Sequence, residues 1–220
     1  MNETSRDDQR AIPPLARLYL WATRRLYNEF AWSYDLVAWG VSGGRWDRWR
    51  RMALDYVVDQ PVLEVGFGTG ALLLEMARRG WQVVGVDLSP AMQRVTARKM
   101  RRRGLWAPRA QTSAQTLPFA AGFFGSIIST FPAEYVIDPA SLDEFLRVLR
   151  PGGRLIIAGL VVQRSGAAWN RDNALIFGSV PTHPVAVQQA RLEAAGFATH
   201  LVVRDDPPWQ VPVIIAEKPL

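Results

Sequence analysis

The 220-residue chain contains no cysteine. Disulfides, thiolate metal sites and any mechanism built on a cysteine nucleophile, cytosine C5 methylation included, are therefore excluded. Lysine is nearly missing too. Lys99 and Lys218 are the only two, so the net charge of +6 is carried by arginine. A basic balance points to nucleic acid or an anionic membrane surface as partners, but an arginine bias also follows from genome composition and carries little weight alone. Histidine is limited to His183 and His200. Long apolar runs are absent. The uncharged stretch 110–133 is broken by Gln111, Gln115, Pro118, Gly122 and Pro132, so no window suits a membrane span. The polar N-terminus has no apolar signal-peptide core, and cytoplasmic placement is the expectation.

What is present is a chain 49% hydrophobic and of a length that suits one well-buried core. It is organised around Pro61-Val-Leu-Glu-Val-Gly-Phe-Gly-Thr-Gly70. Val62, Leu63 and Val65 read as a strand covered on both faces, and Ala71, Leu72, Leu74, Met76 and Ala77 continue as a helix. Between them Gly66, Gly68 and Gly70 allow positive φ and a close ligand approach at the strand end. Asp87 closes the next apolar run, 21 residues beyond Gly66, a spacing that suits a carboxylate accepting hydrogen bonds from ribose hydroxyls. The two signals specify an adenosine-containing cofactor. Glu64, two residues before the turn, would repel a pyrophosphate and favours a cofactor bearing an ammonium and a sulfonium.

In Glu64-Val-Gly66-Phe-Gly68-Thr-Gly70 the sequence resembles the class I S-adenosylmethionine-dependent methyltransferases. The likeness continues through Val86-Asp87-Leu-Ser-Pro90, Leu117-Pro-Phe119 and Arg147-Val-Leu-Arg-Pro-Gly-Gly-Arg154, over roughly residues 60 to 160. It points to the small-molecule branch that includes the quinone methyltransferases. The resemblance implies an α/β fold, a doubly wound, Rossmann-like, mostly parallel sheet of seven strands with the last antiparallel. It implies S-adenosylmethionine held by Glu64, Gly66, Phe67, Gly68 and Gly70, by Asp87 and Leu88, by Ser113, Ala114 and Gln115, and by Thr130 and Phe131. Two positions depart from the pattern. Ser113 stands where an acid usually binds the adenine amino group, and Gly125 where an aspartate usually opens the fourth strand.

Ahead of the glycine corner, residues 1–58 read as an N-terminal helical cap on a methyltransferase domain of residues 59–220. Leu15, Leu18, Tyr19, Ala22, Leu26 and Phe30 recur at helical spacing, followed by stripes at Trp32, Leu36 and Trp39 and at Trp46, Trp49, Ala53 and Tyr56. These helices either pack on the sheet edge as ordinary core or roof the cofactor and wall an apolar acceptor pocket with Trp32 and Tyr34. Tyr135, in the segment after the fourth strand, and His183, in an irregular connection, are further acceptor contacts, and His183 is the candidate base for a phenol or enol. Arg94, Arg98, Lys99, Arg101, Arg102 and Arg103 lie on one predicted helix opened by Ser89-Pro90 and read as a solvated face rather than an RNA footprint. Asp206-Pro-Pro-Trp209 matches a tetrapeptide of base-amino methyltransferases but falls between the last two strands, where it reads as a hairpin turn.

The expectation is methyl transfer from S-adenosylmethionine to a small apolar or aromatic acceptor, quinone-, phenol- or lipid-like, with no metal and with peripheral membrane contact left open. A binding protein without turnover and an RNA methyltransferase are the alternatives. A nicotinamide-dependent oxidoreductase is disfavoured by Glu64 and by Pro139, which stands four residues after Tyr135 where a Tyr-x-x-x-Lys pair would need lysine.

Overall fold

A computed structural model describes residues 39–40, 42–159, 163–164 and 185–220. Trp32, Tyr34 and His183 lie outside them, as do the first two helical stripes apart from Trp39. The third stripe forms α1 (Trp46–Arg51), which runs on as a 3-10 turn, Met52–Tyr56. The chain then alternates through β1 (Val62–Val65), α2 (Ala71–Arg78), β2 (Val83–Val86), α3 (Pro90–Arg103), β3 (Arg109–Ala110) and β4 (Phe124–Thr130). A 3-10 turn at Glu134–Ile137 leads to α4 (Pro139–Val148), β5 (Leu149–Ala158), β6 (Gln163–Arg164), α5 (Val185–Ala194), β7 (Ala198–Asp206) and β8 (Trp209–Glu217).

The sheet order is β3-β2-β1-β4-β5-β8, with β7 on the far side of β8. Strands β1 to β5 are mutually parallel, and the last strand, β8, is antiparallel to β5 and to β7. These are the seven strands the sequence predicts. The two-residue β6 is an addition, continuing the β5 edge of β8.

Period-two alternation divides each strand between two buried faces. Leu63, Val65, Ile127, Leu155 and Ile157 point to one, under Leu142, Phe145 and Val148 of α4. Val62, Ile128, Ile156, Val213 and Ile215 point to the other, under Leu72, Leu73 and Met76 of α2 and Met100 of α3. Burial on both faces explains why apolar residues of β1 fall on both sides of the strand instead of alternating with polar ones. The helices begin and end where the sequence signals it. Ser89 accepts the Met92 N–H at 3.3 Å with Pro90 in the first turn, and Gly104 closes α3 at φ 61°. Asp138 caps α4, whose last carbonyls take two hydrogen bonds from Lys218 Nζ, to Leu146 at 2.7 Å and Leu149 at 2.8 Å.

The sequence predicts a third strand near 107–112, an apolar strand over 155–160 and a final pair near 199–203 and 211–217, and the structure differs at three places. β3 is only two residues, not 107–112. β5 starts at Leu149 rather than Leu155, because the Pro151-Gly-Gly153 turn is a bulge within the strand, paired through Gly152 and Gly153 with Lys218. β7 and β8 extend to Asp206 and Trp209, so Asp-Pro-Pro-Trp is the tight turn of one long hairpin.

The missing aspartate at position 125 has a packing explanation. A Cβ on Gly125 would sit 2.6 Å from the Asp59 carbonyl carbon and 2.7 Å from its oxygen, where the chain crosses before β1. Gly125 is at the start of β4, whereas the cofactor corner adjoins the carboxyl ends of the strands, so this departure bears on the crossing and not on the site. Gly125→Ala should destabilise the fold by about 2 to 3 kcal/mol through overpacking against backbone. Urea unfolding monitored by tryptophan fluorescence measures it.

Candidate functional site

The turn after β1 takes the conformation that its glycines allow. Gly66, Gly68 and Gly70 have φ of 71°, 52° and 74°, a region that costs a residue with a Cβ roughly 1 kcal/mol or more. A Cβ on Gly66 would overlap the Tyr135 hydroxyl and one on Gly70 the Thr96 side chain, while the Gly68 side is open. The open backbone lies at the head of α2, whose first N–H groups have no intrahelical acceptor. Phe67 turns the other way: its ring is buried against Gly85 and Leu73, so only its backbone belongs to the turn.

Glu64 is 2% exposed, on the β1 face shared with Val62, between Gly85 of β2 and Ile128 of β4. Its Oε2 has no hydrogen-bond partner among the described residues. Burial pushes its pKa up to about 8, with the Arg50 guanidinium pulling it down and the Asp87 carboxylate pushing it further up. A buried carboxyl oxygen without a hydrogen-bond partner is costly.

Asp87, 3% exposed at the end of β2, braces the corner. Its Oδ2 accepts the Gly68 N–H at 2.8 Å and its Oδ1 the Ser89 N–H at 2.8 Å. The next residue, Leu88, is 66% exposed, a large apolar side chain held out at the strand end. Ser113, Ala114 and Gln115 follow β3 as a local turn. The Ser113 hydroxyl pairs with Gln115 Oε1 and accepts the Gln115 N–H at 3.2 Å, and Ala114 is buried.

At the end of β4, Thr130 is half-buried and Phe131 adopts φ 49°, the one positive value outside glycine among the described residues. A left-handed aromatic residue is strained. The Phe131 N–H donates to Ala158 O at 2.8 Å, and its ring stacks on Trp46 at 3.8 Å while filling the space where a Cβ on Gly159 would be. Tyr135 folds back over the corner. Its hydroxyl lies 3.3 Å from Val65 O and 3.2 Å from Ser129 Oγ, which itself donates to Val65 O at 2.9 Å.

Three interactions around the corner and its supports escape sequence reading. Arg50 of α1 reaches the environment of Glu64. Asp206, in the tetrapeptide read as a turn, anchors α1: it accepts the Trp49 indole N–H at 2.8 Å and pairs with Arg48 at 2.7 Å and Arg45 at 3.0 Å. Arg147 donates to Leu117 O at 2.9 Å and Phe119 O at 2.7 Å, and Glu144 accepts the Leu117 N–H. The Leu-Pro-Phe and Arg-Val-Leu-Arg motifs are therefore one assembly. Only their co-occurrence could have suggested it.

Comparison with known proteins agrees with this geometry. Residues 63–157 match the model of a methyltransferase domain family. Demethylmenaquinone methyltransferase of Thermus thermophilus is 36% identical over 138 residues, covering 60% of this chain and 63% of that protein. The protein of the same name from Paenarthrobacter aurescens is 36% identical over 137 residues, covering 60% of this chain and 53% of its own length. The chain thus matches somewhat more than half the length of these relatives. Among solved structures, geranyl diphosphate C-methyltransferase from Streptomyces coelicolor A3(2) superposes with a TM-score of 0.60 at 17% identity, over 77% of this chain and 78% of that one. The cyclase SpnF superposes with a TM-score of 0.61 at 20% identity, over 79% and 81%. These two likenesses concern the fold alone.

Fold, motif order and sequence likeness place residues 63–157 in the class I S-adenosylmethionine-dependent methyltransferase family. Within it the chain is related to the branch that holds the menaquinone methyltransferases.

Proposed function

We propose that this chain binds S-adenosylmethionine in the glycine corner and transfers its methyl group to a small apolar or aromatic acceptor of the quinone or isoprenoid kind. The observation that carries this reading is the orphaned oxygen of Glu64, buried where the ammonium of a methionine tail supplies a cation and hydrogen-bond donors. A dinucleotide would bring a pyrophosphate to the same corner and meet that carboxylate and Asp87 as repulsion.

The residues then divide the work. Glu64 binds the ammonium. Gly66, Gly68 and Gly70 bring backbone within reach of the cofactor, and the Phe67 ring holds the turn from below. Asp87 accepts from the ribose hydroxyls, and Leu88 covers one face of the adenine. Ser113, Ala114 and Gln115 line its edge, with Ser113 or Gln115 in place of the usual acid. Thr130 and Phe131 place strand-end backbone beside the sulfonium. The bound cofactor supplies an already activated methyl group, so the protein's task is alignment and exclusion of water. Tyr135 closes one side. Residues 1–58 serve as a cap on the domain of residues 59–220: the Trp46–Phe131 stack and the edge contact of Trp49 with Trp209 seat its described part beside the strand ends. Trp32, Tyr34 and His183 lie outside the described residues, and we propose them from the sequence alone as acceptor contacts, with His183 as the base for an acidic hydroxyl.

A quinone-like acceptor is favoured by the menaquinone methyltransferase relatives and by the aromatic character of the cap. Among the described residues no helix is long and apolar enough to cross a membrane. Calorimetry with S-adenosylmethionine, S-adenosylhomocysteine and the two forms of a nicotinamide dinucleotide tests the cofactor assignment. Binding of the first pair alone is the expected result, and dinucleotide binding alone contradicts it. Methylation assayed with a demethylated quinone separates an enzyme from a binding protein without turnover.

A further inference from the structure

From Leu88 to Ala133 the sequence contains no acidic residue, and all the cations of that stretch except Arg109 lie on α3. The fold separates them. Met92, Thr96 and Met100 turn inward, and Lys99, which is half-buried and already has a partner, lies on their side of the helix. Arg94, Arg98, Arg101 and Arg102 are exposed, and their spacing places them together on the opposite face. None of these four is paired with a carboxylate among the described residues. Successive charges stand no more than about 6 Å apart along the axis, inside the ~8 Å screening length of physiological salt, so they act on a partner together.

An apolar group follows at the carboxyl end of the stripe. Gly104 turns the chain at φ 61°, and the Leu105 N–H returns to Met100 O at 3.0 Å. Leu105 packs against the core and Ala107 is buried, yet Trp106 between them is 77% exposed, more than any other large apolar side chain described except the C-terminal Leu220. The backbone is fixed on both sides while the indole is held out in solvent. A tryptophan next to unpaired arginines is the pairing that seats a protein at a bilayer interface, the ring among headgroups and the guanidinium groups on lipid phosphates. Nucleic acid fits less well. The arginines stand on the convex side of a surface helix, which can lie along a flat surface, and one indole does not make the series of stacking platforms that a single strand uses.

We propose that Arg94, Arg98, Arg101 and Arg102 of α3, with Trp106, form a surface that docks the protein on an anionic lipid bilayer. The surface does not depend on the cofactor or acceptor assigned to the glycine corner. The test is sedimentation of the full chain with vesicles at about 0.15 M salt. Binding is expected to mixed phosphatidylglycerol and phosphatidylcholine vesicles and not to phosphatidylcholine alone. An arginine beside an anionic surface contributes roughly a factor of five to partitioning. Arg98→Gln and Arg101→Gln should therefore each weaken binding by about that factor, and together by about 25-fold. Trp106→Ser should weaken it several-fold. Arg191→Gln removes the same charge from an exposed position on α5, across the sheet, and should leave binding unchanged. Thermal melts confirm that the variants fold, and a parallel arm titrates a short RNA. Absence of binding to the mixed vesicles overturns the proposal, whether or not the RNA binds. Equal losses in Arg191→Gln and Arg98→Gln also overturn it, because net charge rather than the stripe would then be responsible, and so does undiminished binding by Trp106→Ser.

Discussion

Glu64→Gln should cut S-adenosylmethionine affinity by roughly 10- to 150-fold while making the free protein more stable at pH 8. The two effects have one cause. In the free protein Glu64 is buried, one of its oxygens has no partner among the described residues, and its pKa stands at about 8, against an ordinary value of 4.5. Between those values the folded state keeps a proton that the unfolded chain has lost, so the free protein loses stability as pH rises from 4.5 to 8. The full penalty, on the order of 3 to 5 kcal/mol, is present above that window. Glutamine fills the same volume without the charge and removes the penalty. It also removes the carboxylate that the cofactor's ammonium would meet, an interaction of about 1.5 to 3 kcal/mol. Denaturation at pH 5 and pH 8 and calorimetry of cofactor binding measure the two halves. A variant that binds normally would detach Glu64 from the cofactor.

Asp206→Ala should release α1. The carboxylate is buried, and three donors from α1 and the residue before it converge on it: Trp49 Nε1, Arg45 and Arg48. Burial alone would raise its pKa, but the Trp49 and Arg45 hydrogen bonds and the charges of Arg45 and Arg48 outweigh it and hold the carboxyl below its ordinary value of 3.8. Its contribution is therefore complete above that value and is lost as pH falls through the folded one. Removing the acceptor leaves an indole N–H unpaired among Met52, Val211 and Trp209, at a cost of about 3 kcal/mol. Hydrogen exchange should rise over residues 46–56 with the sheet unaffected, and turnover should fall more than cofactor affinity. Unchanged exchange in α1 would show that aromatic packing alone holds the cap.

The fold was legible because its signals are local. Glycine spacing, the Ser89-Pro90 cap and unbroken apolar strands each follow from backbone sterics within a few residues. The corner itself was legible for the same reason, since Glu64, Gly66, Gly68, Gly70 and Asp87 are set by one strand–turn–helix unit and the strand beside it. Contacts across the sheet were not. Asp206 and Trp49 are 157 positions apart, and nothing in Asp-Pro-Pro-Trp distinguishes an anchor from a turn. Gly125 stood out only as a departure from the family pattern because the sequence cannot show Asp59 crossing above it. Phe131 is expected at the cofactor and directly follows β4, but its ring is turned to Trp46 by a left-handed φ that residue identity does not announce.

The central claim is that buried Glu64 meets the cationic tail of the cofactor, and the proton it carries gives the most direct test. At pH 6.5 the free protein holds Glu64 largely protonated, and pairing with an ammonium drives that proton off. Calorimetric titration of S-adenosylhomocysteine at pH 6.5, in two buffers of different ionisation enthalpy, counts the protons exchanged. The account predicts release of close to one proton in the wild-type protein and none in Glu64→Gln. Binding with no proton released by the wild type, or with equal release by both proteins, would contradict it.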